Sequence, residues 1–255
     1  MSSVIIIPAR MGSSRLPGKP LKHINGITMI EHCYRRALLC NINQEVYVTT
    51  CDKEIRDHIT SIGGKVIMTS NKHKRASTRA EEAIRFLEEN EKKVFDIVVM
   101  LQGDVPFIRP SSLEEMIKTF RNSDSEIVDL IGPIKKNEFF FDKNNVKIVF
   151  NKNNEALYYS REPIPSPWLF LDSIDKYMQI GVIAFSPSSL KKFNSLNESS
   201  LEIYESVDLN RILQNGGKIK IMKIDYEMIT VDTQGDLEKS QEIMDLDDLF
   251  KLYKD

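Results

Sequence analysis

At 255 residues, the chain is long enough to bury a full core as one large α/β domain or two small ones. Apolar residues make up 41% and charged residues 28%, proportions that exclude a disordered chain. Lys plus Arg (35) against Asp plus Glu (37) leaves a formal net charge of -2, which excludes a globally basic nucleic-acid binder but not a local cationic pocket.

No apolar run approaches the length of a membrane span, so neither nucleic acid nor membrane is expected as a partner. The opening Met1-Ser-Ser-Val-Ile-Ile-Ile-Pro8 lacks a basic stretch and its apolar run stops at Pro8-Ala9-Arg10, unlike a signal peptide. Cys33, Cys40 and Cys51 form no CxxC pair and leave an odd thiol, which points to reduced cysteines in a cytoplasmic protein.

In chain order, Val4-Ile5-Ile6-Ile7 reads as a strand buried on both faces. Thr28 and Glu31 have the spacing of a capping box for a helix running to about Leu39. Residues 45–50 form the next expected strand, with Asp52 placed to cap a helix, and 65–68 a third. Ala80, Ala83, Ile84 and Leu87 recur at helical spacing. Residues 97–101 read as the central strand, and Pro110 opens a helix over 111–120. This alternation predicts an α/β fold with a mainly parallel sheet.

The middle differs. Strand-like pieces at 127–131, 146–150, 156–159 and 179–185 are separated by irregular stretches at 135–145 and 163–168, which predicts an inserted antiparallel or mixed region, about 130–185, in a single domain. A helix over 201–213, a strand over 218–223, an extended piece at 230–232 and a helix from Asp236 follow.

Arg10, Arg15 and Lys19 share the loop after the first strand, with Gly12 and Gly18 between them. Ligands of open α/β sheets bind beyond the carboxyl ends of strands, and three cations with approachable backbone amides offset a triphosphate. A Walker A loop is excluded, because five residues separate the glycines and Pro20 follows Lys19 where Ser or Thr is required. Asp104 follows the central strand and is a plausible magnesium ligand, with Asp232 as candidate partner. Either Asp suits a helix cap equally well. His23, His32, His58 and His73 show no metal spacing, and nothing suggests a covalent nucleophile.

Taken together, these motifs have a match. Ile7-Pro-Ala-Arg-Met-Gly-Ser-Ser-Arg-Leu-Pro-Gly-Lys-Pro-Leu21 resembles the opening loop of the CMP-Kdo synthetases (3-deoxy-manno-octulosonate cytidylyltransferases). The similarity continues through 63–70, Leu101-Gln-Gly-Asp104, 156–165 and Val231-Asp-Thr233, and so spans nearly the whole chain in order. It implies a Rossmann-like nucleotidyltransferase sandwich, and magnesium-dependent transfer of CMP from CTP to an acidic keto-sugar with release of pyrophosphate. It implies nucleotide binding by Pro8, Ala9, Arg10, Arg15, Lys19 and Ser70, with Arg10, Lys19 and Asp104 catalytic. Asp104 and Asp232 would ligate Mg2+, and Arg79, Gln102, Arg161, Gln179 and Asp208 would lie towards the sugar. The inserted region would contribute to a homodimer.

Three positions depart from the family pattern. Arg75-Ala-Ser-Thr-Arg79 stands for Ser-Gly-Thr-Asp/Glu-Arg, Gln179 for a His, and Leu209 for a Gln. The resemblance puts all three on the sugar side, so an altered acceptor, such as an 8-amino Kdo or a nonulosonate, is the expectation set against drift around Kdo. The non-enzymatic alternative is an inactive nucleotide-binding regulator.

Overall fold

The computed structural model describes residues 2–13, 15–42, 44–169 and 174–254. The chain forms two compact units, Met1–Ile117 with Ile229–Asp255, and Lys118–Met228.

The first unit runs β1 (Ser3–Pro8), β2 (His23–Ile24), β3 (Ile27–Thr28), α1 (Met29–Leu38), β4 (Gln44–Thr50), α2 (Lys53–Ser61), β5 (Val66–Met68), α3 (Ala76–Asn90) and β6 (Ile97–Leu101), followed by α4 (Pro110–Arg121), whose last residues belong to the second unit. β1 lies between β6 and β4, β5 pairs with β4, and these three pairings are parallel, whereas β2 and β3 form a separate antiparallel pair. All of β1 and β6 is buried, which explains their unbroken apolar runs. The α3 stripe of Ala80, Ala83, Ile84 and Leu87 is buried as its spacing predicts. Parallel strands bring the loops after β1 and β6 out at the same edge of the sheet.

The second unit runs β7 (Ile127–Pro133), α5 (Asn137–Phe141), β8 (Lys147–Phe150), β9 (Ala156–Ser160), β10 (Tyr177–Phe185), α6 (Pro187–Ser195), α7 (Ser200–Glu205), α8 (Asn210–Gln214) and β11 (Lys220–Lys223). Pairings of β10 with β7 and β8, and of β8 with β9, are antiparallel, whereas β11 joins β7 in parallel. The stretch 130–185 lies within this unit, which extends beyond it to α6–α8 and β11. The chain then returns to the first unit with α9 (Gln234–Asp245).

Four local expectations are corrected. The Thr28/Glu31 capping box does not form. Thr28 Oγ1 instead bonds His58 Nε2 at 2.7 Å, and Glu31 pairs with Arg35 and His58, tertiary partners that outcompete a local cap. Asp52 occupies the N-cap of α2 without capping it. The stretch 135–145 contains α5, nucleated by the fully buried Phe140 packed with Ile134 and Met178. The helix expected over 201–213 is broken at Ser206, which is left-handed at φ 52°, allowing α7 and α8 to fold against one another.

A complete capping box occurs at α9. Thr233 Oγ1 accepts from the Asp236 amide, and the Asp236 carboxylate accepts from the Thr233 amide at 2.8 Å. Replacing Thr233 by Ala is expected to cost about 1 kcal/mol, read by urea unfolding. A loss within error would mean that α9 is held by packing alone.

Candidate active site

The loop after β1 is shaped by backbone contacts. The Ala9 amide extends the sheet by donating to Thr49 O at 2.9 Å, and the Met11 amide donates to Asp52 Oδ2 at 2.7 Å. Gly18 closes the loop onto Met11 O with φ +69°, a conformation that favours glycine. The chain then enters a 3-10 turn, Lys19–Leu21, which Pro20 pre-organises. Replacing Asp52 by Ala should therefore loosen the loop and raise the KM for the nucleotide that the resemblance implies several-fold, with kcat little changed. An unchanged KM in a steady-state assay would show that the loop holds without this anchor.

Lys19 is the hub of the site. Its Nζ donates to Asp104 Oδ2 at 2.6 Å and to Asp232 Oδ1 at 2.9 Å, while Arg15 reaches the same Asp232 oxygen at 2.9 Å. Burial disfavours charge on Lys19, but the two carboxylates outweigh it and hold the ammonium above its ordinary range. Asp104 and Asp232 are 128 residues apart in sequence and are locked together by the Val231 amide, which donates to Asp104 O at 3.1 Å. Neither Asp caps a helix through its side chain, since Thr233 and Asp236 cap α9. At Gly103, a Cβ would lie 2.9 Å from Ile30 Cδ1 and 3.5 Å from Pro8 O, so glycine lets Asp104 approach the end of β1 closely.

Pro8, Ala9, Arg10, Arg15, Lys19, Arg79, Gln102 and Asp104 line one cleft of about 320 Å3. His73, Lys74 and Arg75 line it as well. Arg79 is buried, its guanidinium held by Thr69 Oγ1 and by Cys51 Sγ at 3.5 Å. Thr78 Oγ1, at the position where the family is acidic, bonds back to Arg75 O at 3.0 Å. Ser70 does not line the cleft. Its amide donates to Glu82, which also contacts His73 Nε2. Sequence reading gave Asp52 only as a helix cap, not as the anchor of this loop, and missed the His73–Glu82 pair. The placement of Asp52 directly after a strand end was the available signal.

Arg161, Gln179 and Asp208 belong to the second unit. The Arg161 guanidinium is occupied by backbone, donating to Glu205 O at 2.8 Å, Lys143 O at 2.8 Å and Ser206 O at 3.3 Å. Buried Lys147 donates to Asp142 O, Asn145 O and Arg161 O, and burial pulls it down to about 8. Leu209 is wholly buried, so it contributes packing rather than a polar contact.

An unanticipated residue stands beside Gln179. Asp129, wholly buried in β7, accepts from Tyr159 OH at 2.8 Å and from Gln179 Nε2 at 3.4 Å. Burial pushes its carboxyl up to about 7 against these hydrogen bonds, and the charge of Asp208 adds to the rise. A polar residue inside the apolar run 127–131 was the sequence signal. A larger hollow in this unit, about 1110 Å3, contains none of the residues anticipated from sequence.

Comparison with known proteins gives a consistent result. Residues 4–224 match the family model described as cytidylyltransferase. The 3-deoxy-manno-octulosonate cytidylyltransferase of Thermodesulfovibrio yellowstonii is 39% identical over 96% of this chain and 98% of its own. The 8-amino-3,8-dideoxy-manno-octulosonate cytidylyltransferase of Shewanella baltica is 38% identical over 97% and 100%. A solved CMP:2-keto-3-deoxy-manno-octonic acid synthetase complexed with CTP superposes with a TM-score of 0.87, at 35% identity over 96% of this chain and 99% of the other. The 4-diphosphocytidyl-2C-methyl-D-erythritol synthase of Anaerococcus prevotii, 16% identical with a TM-score of 0.63 over 96% of each chain, shares the fold alone. The order of strands, the cationic loop and the paired aspartates thus occur in a chain that belongs to the 3-deoxy-manno-octulosonate cytidylyltransferase family of nucleotidyltransferases.

Proposed function

We propose that this chain, acting as a single cytidylyltransferase module over 1–255, transfers CMP from CTP to the anomeric hydroxyl of 3-deoxy-manno-octulosonate or its 8-amino analogue and releases pyrophosphate. The convergence of Asp104 and Asp232 on one cationic point, beside the loop carrying Arg10 and Arg15, is the observation that carries this reading.

Arg10, Arg15 and Lys19 bind the triphosphate with their side chains, and Pro8 and Ala9 line the same cleft. Ser70 lies outside the cleft lining, so its part on the nucleotide side is indirect, through the Glu82 carboxylate that its amide shares with His73. The acceptor hydroxyl attacks the α-phosphorus in line, forming the new P–O bond as the bond to the β-phosphate oxygen breaks, with pyrophosphate leaving and the hydroxyl proton passing to solvent. Catalysis is positioning and charge stabilisation, with no covalent enzyme intermediate.

Among the described residues, no group of three or more His, Cys, Asp or Glu side chains is arranged to hold a metal. Two carboxylates nevertheless suit Mg2+, which takes one or two carboxylates together with substrate phosphates. The point where Asp104 and Asp232 meet is occupied by the Lys19 ammonium, so the donor set fits a cation. Held by Asp104 and Asp232 in place of the Lys19 ammonium, magnesium would supply charge neutralisation at the phosphates. The acceptor roles that the resemblance implies for Arg79 and Gln102 of the first unit, and for Gln179 and Asp208 of the second, are part of this reading. Arg161 serves the acceptor side indirectly, by fixing the backbone at 143–144 and 205–206.

We further propose a cytoplasmic homodimer. Trp168 (86% exposed), Leu169 and Leu157 are apolar surface in and beside the 156–165 stretch, as an interface requires. A monomer-sized gel-filtration peak would refute the dimer. Among the described residues no helix is long and apolar enough to cross a membrane.

The reading is tested by pyrophosphate release with CTP and magnesium, using 3-deoxy-manno-octulosonate, its 8-amino analogue and several nonulosonates. Turnover with either octulosonate supports it. Turnover with nonulosonates alone moves the acceptor class, and silence across the panel leaves nucleotide binding without catalysis.

A further inference from the structure

Gln179 and Asp129 are not register partners, since Gln179 lies opposite Ile131, and Asp129 opposite Ile183. The pairing of β10 with β7 shifts between Gln179 and Ile183, and Gly181 within that interval has φ +83°. Such a bulge re-aims side chains locally. Here the Gln179 side chain meets the carboxylate one pair along the ladder.

The contact constrains the amide. An ionised carboxylate only accepts hydrogen bonds, so it draws Gln179 Nε2 and rejects Oε1. Asp129 is fixed on its other oxygen by Tyr159 OH at 2.8 Å. Among the described residues Gln179 Oε1 has no partner, and the side chain is only partly buried. We propose that Asp129 is a positioning residue for acceptor choice, holding the Gln179 amide by its nitrogen so that Oε1 receives a hydroxyl or ammonium donor of the acceptor sugar. This rests on the acceptor-side placement of Gln179 given above.

Asp129 and neighbouring Asp208 make the local field negative, with Tyr159 the other titratable group against Asp129. An ammonium donor is therefore bound more tightly than a hydroxyl. Below about pH 7 Asp129 takes a proton and itself donates, which releases the amide to turn and present a mismatched N–H.

The test measures KM for CTP and for the acceptor, 3-deoxy-manno-octulosonate and its 8-amino analogue being assayed separately. Gln179→Ala is expected to raise the acceptor KM about tenfold or more. Asp129→Asn should do so at pH 8 with the KM for CTP unchanged, and should flatten the rise in acceptor KM that the unaltered enzyme shows below pH 7. If Gln179→Ala raises the acceptor KM and Asp129→Asn does not, the positioning role is overturned alone. No effect of Gln179→Ala, or no turnover of either sugar, overturns the acceptor-side placement itself. Should Asp129→Asn fail to fold, Gln179→Glu carries the test. It sets two carboxylates together, so its acceptor KM should fall again below pH 7, and a pH-independent KM would overturn the proposal. A lower KM for the 8-amino sugar supports the ammonium preference, and a lower KM for the hydroxyl sugar refutes it.

Discussion

Asp104→Asn is expected to lower cytidylyl transfer at least about a thousandfold, equivalent to about 4 kcal/mol of transition-state stabilisation, while leaving the fold intact. Asn has the shape of Asp, and the Gly103 approach and the Val231–Asp104 backbone bond do not depend on the carboxylate. Two functions of the charge are lost together. The Lys19 ammonium loses its 2.6 Å partner, and the cation position shared with Asp232 loses half of its carboxylate charge. On the proposed reading the loss should appear in kcat more than in the KM for CTP, because Arg10 and Arg15 would still bind the triphosphate. Asp232→Asn should cost little more in the Asp104→Asn background, as residues acting as a unit are not additive. Magnesium titrations of single-turnover rates check this, and turnover within tenfold of the unaltered enzyme would remove Asp104 from the machinery.

Much of the first unit was legible because its signals are local. Ile5 and Val99 lie in apolar runs that only a doubly covered parallel strand explains, and the α3 stripe repeats at helical spacing. The cationic loop was legible for the same reason, since Arg10, Arg15 and Lys19 are neighbours in sequence. The Lys19–Asp232 contact joins residues 213 apart, and spacing carries no information about such a pair. Caps failed where tertiary partners competed. Thr28 and Asp52 have the right residue types at the right positions, but His58 and the Met11 amide take their oxygens. Ser206 hid the break between α7 and α8 because Ser seldom signals a left-handed residue. Asp129 went unread although it is a polar residue in an apolar strand, and its contact with Gln179 depends on a bulge that no sequence pattern marked.

The largest expected loss of stability is at Glu202. Its carboxylate, 0% exposed, forms a two-bond pair with Arg211, Oε2 to Nε at 2.7 Å and Oε1 to Nη2 at 2.6 Å. The remaining guanidinium donors reach Phe193 O and Leu196 O, and the cation lies 5.0 Å from the Phe193 ring centre. Arg211 thus ties α6, α7 and α8 together, which makes the arginine of the Asp208-Leu-Asn-Arg211 segment a structural anchor. Glu202 also completes the Ser199 capping box of α7. Glu202→Ala leaves an uncompensated buried cation and is expected to cost about 3–5 kcal/mol, read by urea unfolding. The pair need not be intrinsically stabilising, because two charges were desolvated to form it. Replacing both residues, Glu202→Leu with Arg211→Met, should therefore recover most of the loss. A single-variant cost below about 1 kcal/mol would mean that water reaches Arg211 and the anchor is not buried in solution. Full recovery in the double variant, together with an unchanged KM for CTP and a raised acceptor KM, would place the contribution of the pair in fixing the turn that carries Asp208 rather than in stability itself.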